Sequence, residues 1–193
     1  MAITTLNNRS INRSDTAGAD QVWTATSATA SDFQAAGGTN TPAFAAYMSS
    51  AQTFAENTET KIQFDTEVFD TDSAYDKDTN FRFVVPSGEG GKYLLTAGAF
   101  MYGSSVELGS TIIAYANGST KLGTATANND TGHGDGEGGA GSLTISVIVS
   151  LSAADYVEIF GISNLTGSVA GTPITVGANT YRQVYFSMHK LIE

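Results

Sequence analysis

Several residue types are absent or scarce in this chain of 193 residues. It has no cysteine, which excludes disulfides and thiolate metal sites. Its nine lysines and arginines face 19 acidic residues, which gives a formal net charge of −10. Nucleic-acid binding needs a concentrated basic face, so this balance argues against nucleic acid as a partner. No window approaches the roughly 18 apolar residues that a membrane span needs.

The first residues, "MAITTLNNRSINRSD", have no apolar segment of the kind a secretory signal contains. We therefore expect a soluble protein made in a cytoplasm. Charged residues make up only 15% of the chain, so its surface must rely on Ser, Thr, Asn and Gly. The 21 glycines against three prolines indicate many turns rather than disorder.

The composition changes near residue 41. Residues 1–41 carry few large apolar side chains, too few to offset the entropy of ordering them alone. They include the only tryptophan, Trp23, and we predict that Trp23 and Phe33 anchor this segment. We interpret residues 1–41 as an extended N-terminal arm; a linker with an incidental Trp is the alternative. A short helix is expected in "SATASDFQAAGG", with Ser31 or Asp32 as its N-cap.

Residues 42–193 are a succession of strand candidates. They are "PAFAAYMSSAQTF", "TKIQFDTEVFD", "NFRFVVP", "GKYLLTAGAFMYG", "STIIAYANGSTKLGTATA", "GSLTISVIVSLS", "DYVEIFGIS" and "NTYRQVYFSMHKLIE". In the second, Ile62, Phe64 and Val68 are expected to share a face. In the fifth, Asn117-Gly118 supplies the positive-φ pair of a type I′ hairpin turn. The pattern predicts an all-β fold, an antiparallel sandwich of jelly-roll type.

Two of these strands are apolar on both faces, whereas an antiparallel sheet commonly keeps one face wet. If one face fills the sandwich, the other needs a cover, and for a single small domain we favour a neighbouring subunit. Aromatic pairing on a half-exposed sheet is the alternative. The predicted interface residues are Tyr93, Leu95, Phe100, Tyr102, Tyr185 and Phe186.

"NFRFVVPSGEGGKYLLTAGAF", residues 80–100, resembles the central signature of the C1q/tumour-necrosis-factor-like jelly roll, with Pro86, Gly91 and Tyr93 in the family's places. "PAFAAY", "TKIQFDTEVFDTDSAYD", "YVEIFGIS" and "VYFSMHKLIE" resemble its other strands, so the resemblance covers residues 42–193. The chain departs from the family where "SGEGG" widens a turn, and it lacks collagen triplets. Members are usually compact homotrimers, so the resemblance implies a homotrimer.

The arm, "AITTLNNRSINRSDTA…QVWTATSATASDFQA", is similar to an amino-terminal segment of virion proteins from marine and cyanobacterial bacteriophages. In those proteins it precedes jelly-roll domains of differing sequence. The resemblance implies a modular virion protein, in which a constant arm docks on the particle and a variable head faces outward.

No catalytic constellation is visible, and we expect no enzyme. The sequence has neither a Gly-x-Ser-x-Gly elbow nor a phosphate loop. His189 lies within the alternating side-chain pattern of the last strand and is predicted to be structural. His133 lies in the glycine-rich "NNDTGHGDGEGGAG" beside Asp130, Asp135 and Glu137, and we favour a surface loop there over a metal site.

The acidic loop "DTEVFDTDSAYDKD" is the second metal candidate. Calcium takes six to eight oxygen ligands, and a loop of this composition contains several carboxylates. It lacks the order of an EF-hand, so we favour a solvated loop without a cofactor, with bound Ca²⁺ as the alternative. The candidate ligands are Asp70, Asp72, Asp76 and Asp78.

The hypothesis that follows is a bacteriophage virion structural protein, a homotrimeric capsid decoration or short appendage. Its arm would contact major capsid or tail proteins of the particle. The alternative is a tail-tip or fibre module that recognises a host-surface glycan or protein through residues 128–141 and 163–180, which carry Asn, Asp, Ser and Gly.

Overall fold

The computed structural model describes residues 21–25, 31–35, 40–103, 107–130, 140–164, 167–169, 174–176, 179–181 and 183–191. The chain separates into two units, Met1–Thr39 and Asn40–Glu193. Within the described ranges, no helix is long and apolar enough to cross a membrane.

The described part of the first unit is a two-stranded antiparallel hairpin. β1 (Gln21–Ala25) pairs with β2 (Ser31–Ala35), and Trp23 lies opposite Phe33 in the register. The predicted helix at this place is wrong. Short isolated helices are marginal, and the run of Val, Trp and Thr in β1 favours a strand that offers β2 a partner.

The described residues of the second unit form two antiparallel sheets and a small hairpin. The larger, called the β9 sheet, has the strand order β4 (Gln52–Phe54), β14 (Gly167–Val169), β9 (Gly91–Gly103), β17 (Tyr185–Lys190), β3 (Ala43–Tyr47) and β6 (Thr66–Asp70). β14 and β17 pair with successive parts of one edge of β9, and β12 (Ala140–Leu151) pairs with its other edge. The smaller, called the β13 sheet, orders β11 (Thr120–Asp130), β10 (Glu107–Ala116), β13 (Tyr156–Ser163), β8 (Arg82–Val84) and β7 (Tyr75–Asp76), with β5 (Thr60–Lys61) also on β13. β15 (Ile174–Val176) and β16 (Asn179–Tyr181) form the hairpin.

The core lies between the inner faces of these two sheets. An aromatic cluster fills one part of it: the Phe44 ring stacks on Tyr75 at 4.5 Å between centroids and meets Phe186 edge-on at 4.9 Å. Phe83 stacks on the same Phe44 ring at 5.3 Å. Burial of Tyr75 raises the pKa of its hydroxyl, which donates a hydrogen bond to the Phe64 carbonyl. The predicted all-β jelly-roll sandwich is confirmed.

The segment from residue 60 to residue 70 crosses from one sheet to the other. The Ile62 amide donates to the Ile159 carbonyl of β13, whereas β6 pairs with β3 in the β9 sheet. Ile62 and Phe64 are buried as predicted, but Val68 is 44% exposed, so its predicted position on their face is wrong. The cause is a bulge: the β3–β6 register shifts and leaves Val68 without a paired residue.

The β10–β11 hairpin turns at Asn117 and Gly118, whose φ angles of 52° and 71° confirm the predicted turn. Asp155 fixes this turn to the loop before β13. Its carboxylate accepts hydrogen bonds from Asn117 Nδ2 and from the Ser152 amide, each at 2.8 Å. These bonds, the one from Asn117 foremost, hold the pKa of Asp155 below its usual value.

A depressed folded-state pKa gives a stabilisation that is complete above the unfolded pKa and is lost as pH falls through the folded pKa. We therefore expect Asp155→Asn to destabilise the protein at neutral pH and the deficit to shrink between about pH 5 and pH 2. Urea unfolding across that range measures both effects. The control is Glu67→Gln, at an exposed carboxylate on β6. A deficit of constant size at all pH values would contradict the assignment.

Candidate subunit interface

Three of the predicted interface residues point into the sandwich. Tyr93, Leu95 and Phe186 are 0% exposed within a single chain, so their assignment to a subunit interface is wrong. Odd-numbered residues of β9 face the core, and the Tyr93 ring meets Phe83 at 5.6 Å. Burial raises the pKa of Tyr93 to about 12, and its hydroxyl donates to the Glu89 carbonyl at 2.5 Å. These side chains stabilise the monomer.

The other three predicted residues, Phe100, Tyr102 and Tyr185, lie on the outer face of the β9 sheet. Cross-strand pairing arranges this face in rows perpendicular to the strands. One row contains Ala43, His189, Leu94 and Ile148; the next contains Phe69, Ala45, Ser187, Thr96 and Ser146; the third contains Tyr47, Tyr185, Gly98 and Thr144. We call these three rows, together with Phe100 and Tyr102, the outer face.

Tyr185 lies flat against the backbone of its neighbour in the sheet. It is the cross-strand partner of Gly98, and a Cβ placed on Gly98 would lie 2.4 Å from Tyr185 Cε1 and 2.9 Å from Cζ. A glycine inside a strand often marks such a close approach, and a cross-strand aromatic covers the gap it leaves. The pair therefore fixes one aromatic ring on the outer face.

The outer face and its edges carry every exposed large hydrophobic side chain among the described residues. Val68 and Phe69 on β6 are 44% and 42% exposed, Tyr102 on β9 is 40% exposed, and Ile148 on β12 is 64% exposed. No such side chain is found on the described part of the β13 sheet. Exposed apolar side chains confined to one sheet in this way favour that sheet as the interaction surface.

The three rows of the outer face contain no Asp, Glu, Lys or Arg. Their one titratable side chain besides the tyrosines is His189, whose ring lies 6.1 Å from that of Phe69. Charges occur at the margins, for instance at Lys92 on β9 and Glu67 on β6. In a chain of net charge −10, this is a charge-poor surface.

The outer side of the β13 sheet differs from the outer face, because cationic side chains of the same chain lie over its aromatic rings. Arg82 Cζ lies 4.3 Å from the centroid of Tyr156. Lys61 Nζ lies 5.8 Å from that of Phe160, and Lys121 Nζ lies 5.9 Å from that of Tyr115. Long cationic side chains cover apolar surface with their methylene stems and keep the charge in water. This face needs no second molecule to cover it.

The acidic loop does not gather its carboxylates into one place. Asp70 accepts hydrogen bonds from the amides of Ala74 and Tyr75, and Asp76 accepts from the Thr79 amide at 2.9 Å. The Thr79 bond foremost holds the pKa of Asp76 below its usual value. Asp72 accepts from Thr71, and Asp78 pairs with Lys77. Across the part of the chain that the structure describes, no group of three His, Cys, Asp or Glu residues could hold a metal ion.

Several other predicted residues lie where the structure describes either no residue or only the backbone strand. His133, Asp135 and Glu137 lie outside the described residues, and for Asp130, Trp23 and Phe33 only the strand position is described. Phe69 and Ile148, exposed on this sheet, were not among the residues predicted from the sequence. A signal for Ile148 was present, because it interrupts the Ser/Thr positions of "GSLTISVIVSLS".

No protein-family model matches the chain, and no curated protein is significantly similar to it. Among solved structures, murine APRIL at pH 5.0 has a TM-score of 0.52 at 11% identity, over 77% of this chain and 98% of that one. Eiger TNF from S. frugiperda has a TM-score of 0.50 at 10% identity, over 78% and 92%. The globular domain of zebrafish complement 1qA protein has a TM-score of 0.48 at 12% identity, over 78% and 97%. The first two show the fold, a jelly roll of the TNF/C1q type.

We expect Gly98→Ala to push the Tyr185 ring off the sheet and to destabilise the protein by about 1–3 kcal/mol, the usual cost of overpacking. In the background of Tyr185→Ala the same change should cost much less, because the ring is gone. Urea unfolding of the four proteins of this double-mutant cycle measures the coupling. Gly90→Ala, whose Cβ would make only ordinary contacts, is the control. Equal costs in both backgrounds would refute the contact.

Proposed function

We propose that this chain is a structural protein of a bacteriophage particle, a homotrimer whose jelly-roll heads associate through the outer face. Residues 1–41 are the arm that attaches it to the particle. One observation supports this assembly above all. The exposed large hydrophobic side chains of the described residues all lie on one sheet: Val68, Phe69, Tyr102 and Ile148. The function is assembly, and no catalytic step forms part of it.

The charge distribution supports a copy of the same chain as the cover. Two molecules of net charge −10 repel each other over most orientations. The three rows of the outer face carry no charged residue besides His189, so a second copy meets little charge repulsion there. The TNF/C1q-type fold agrees with a trimer, which the resemblance of residues 80–100 implies.

The arm supports attachment to a particle. Its sequence resembles the amino-terminal segment of phage virion proteins, and its described part is the β1–β2 hairpin with Trp23 opposite Phe33. Capsid and tail proteins are the partners that this resemblance implies. A tail-tip or fibre module for a host glycan or protein is the second candidate, favoured by the polar composition of residues 128–141 and 163–180.

Tyr102→Glu tests the assembly. The full-length protein is expected to scatter light with three times the chain mass, and the variant with one chain mass, because a desolvated carboxylate without a partner costs several kcal/mol. Thr124→Glu, at an exposed position of β11, should leave the trimer intact. Circular dichroism establishes that both variants fold. A monomeric parent protein, or a variant that stays trimeric, would count against the outer face as the interface.

Limited proteolysis tests the arm. The free full-length protein is expected to lose residues 1–41 quickly, whereas the same protein on purified particles should keep them. The jelly-roll domain serves as the internal control, since it should resist cleavage in both samples. Equal cleavage in both samples, together with binding of the free protein to host envelopes, would favour the receptor-binding candidate instead.

A further inference from the structure

Two apolar patches lie at opposite edges of the β9 sheet. β6 is one edge, with Val68 and Phe69 exposed, and β12 is the other edge, with Ile148 exposed. β3, β17 and β9 separate them, so four strand spacings of about 4.8 Å place the edges about 19 Å apart. Within one molecule the two patches cannot touch.

The two patches differ in their side chains. At the β6 edge, the bulge leaves Val68 without a ladder partner next to Phe69, whose ring centroid lies 6.1 Å from that of His189. At the β12 edge, Ile148 stands as a single large side chain between Ser146 and Ser150, which are exposed as well. The two edges therefore present different apolar side chains, Ile148 at β12 and the adjacent Val68 and Phe69 at β6.

A ring of three identical subunits requires this asymmetry. A contact across a twofold axis brings the same patch of two copies together, whereas a threefold ring joins one surface of each copy to a different surface of the next. Resting on the homotrimer proposed above, we propose that Ile148 of each copy packs against Val68 and Phe69 of the next copy. The occupant of the β6 edge is therefore a second copy of this chain.

This contact also gives the β6 edge a partner. Exposed edge strands invite unwanted pairing, and proteins protect them with bulges and charges or cover them. β6 carries a bulge at Val68 and the charged Glu67 beside it. These features discourage strand pairing with another sheet, and they leave the side chains of Val68 and Phe69 free to be covered by side-chain packing.

Cysteine cross-linking tests the contact, and the chain has no cysteine of its own to interfere. Phe69→Cys and Ile148→Cys are introduced into the full-length protein, separately and together. Since the positions are too far apart within one molecule for a disulfide, any bond between them links two copies. The double variant is expected to run as a covalent trimer on a non-reducing gel after mild oxidation. Each single variant should stay at the mass of one chain.

The matched control combines Phe69→Cys with Thr124→Cys, at an exposed position of the β13 sheet, and should give no specific product. A protein that is trimeric by light scattering but whose double variant cross-links no better than this control would overturn the contact and leave the trimer standing. Self-cross-linking of either single variant would overturn it in favour of a twofold contact. A monomer in solution would overturn the trimer itself.

Discussion

The position of β9 in its sheet is the constraint on which the rest of the structure depends. The strand is paired along one edge by β12 and along the other by β17 and β14, so it lies in the interior of the sheet. It is apolar on both faces, from Tyr93 and Leu95 on the inner side to Leu94 and Phe100 on the outer side. Because a strand alternates its side chains, the inner set builds the core; of the outer set, Phe100 is partly buried against that core and Tyr102 is 40% exposed.

The chain treats its two outer surfaces in opposite ways. With only nine lysines and arginines, it places Lys61, Arg82 and Lys121 over the aromatic rings of the β13 sheet. One of them, Lys61, also forms an ion pair with the buried Glu158, which ties β5 to β13. The rows of the outer face receive no cation at all. The difference is what one expects if one surface meets water and the other meets protein.

The sequence was sufficient to predict most strands and the Asn117-Gly118 turn, because the alternation of side chains and the residue preferences of turns are local properties. It identified two apolar faces on β9 but did not decide which one points inward, so Tyr93 and Leu95 were assigned to the wrong side. That choice depends on the opposite sheet, which no local pattern contains. The bulge at Val68 was missed for the same reason. Pairing between β3 and β6 decides the register, and the hydrophobic pattern of residues 60–70 alone does not indicate the shift.

Hydroxyl groups in the middle of the outer face bear on how the face is covered. Ser187, Thr96 and Ser146 form most of the central row, between the larger side chains of the rows that contain Leu94 and Tyr185. A hydroxyl buried without a hydrogen bond costs free energy, so a neighbouring subunit that covers this row has to supply acceptors or retain bridging water. A purely apolar sheet face would bind more strongly but less selectively. Any partner that covers this row therefore has to match its hydroxyl groups as well as the larger side chains on either side of them.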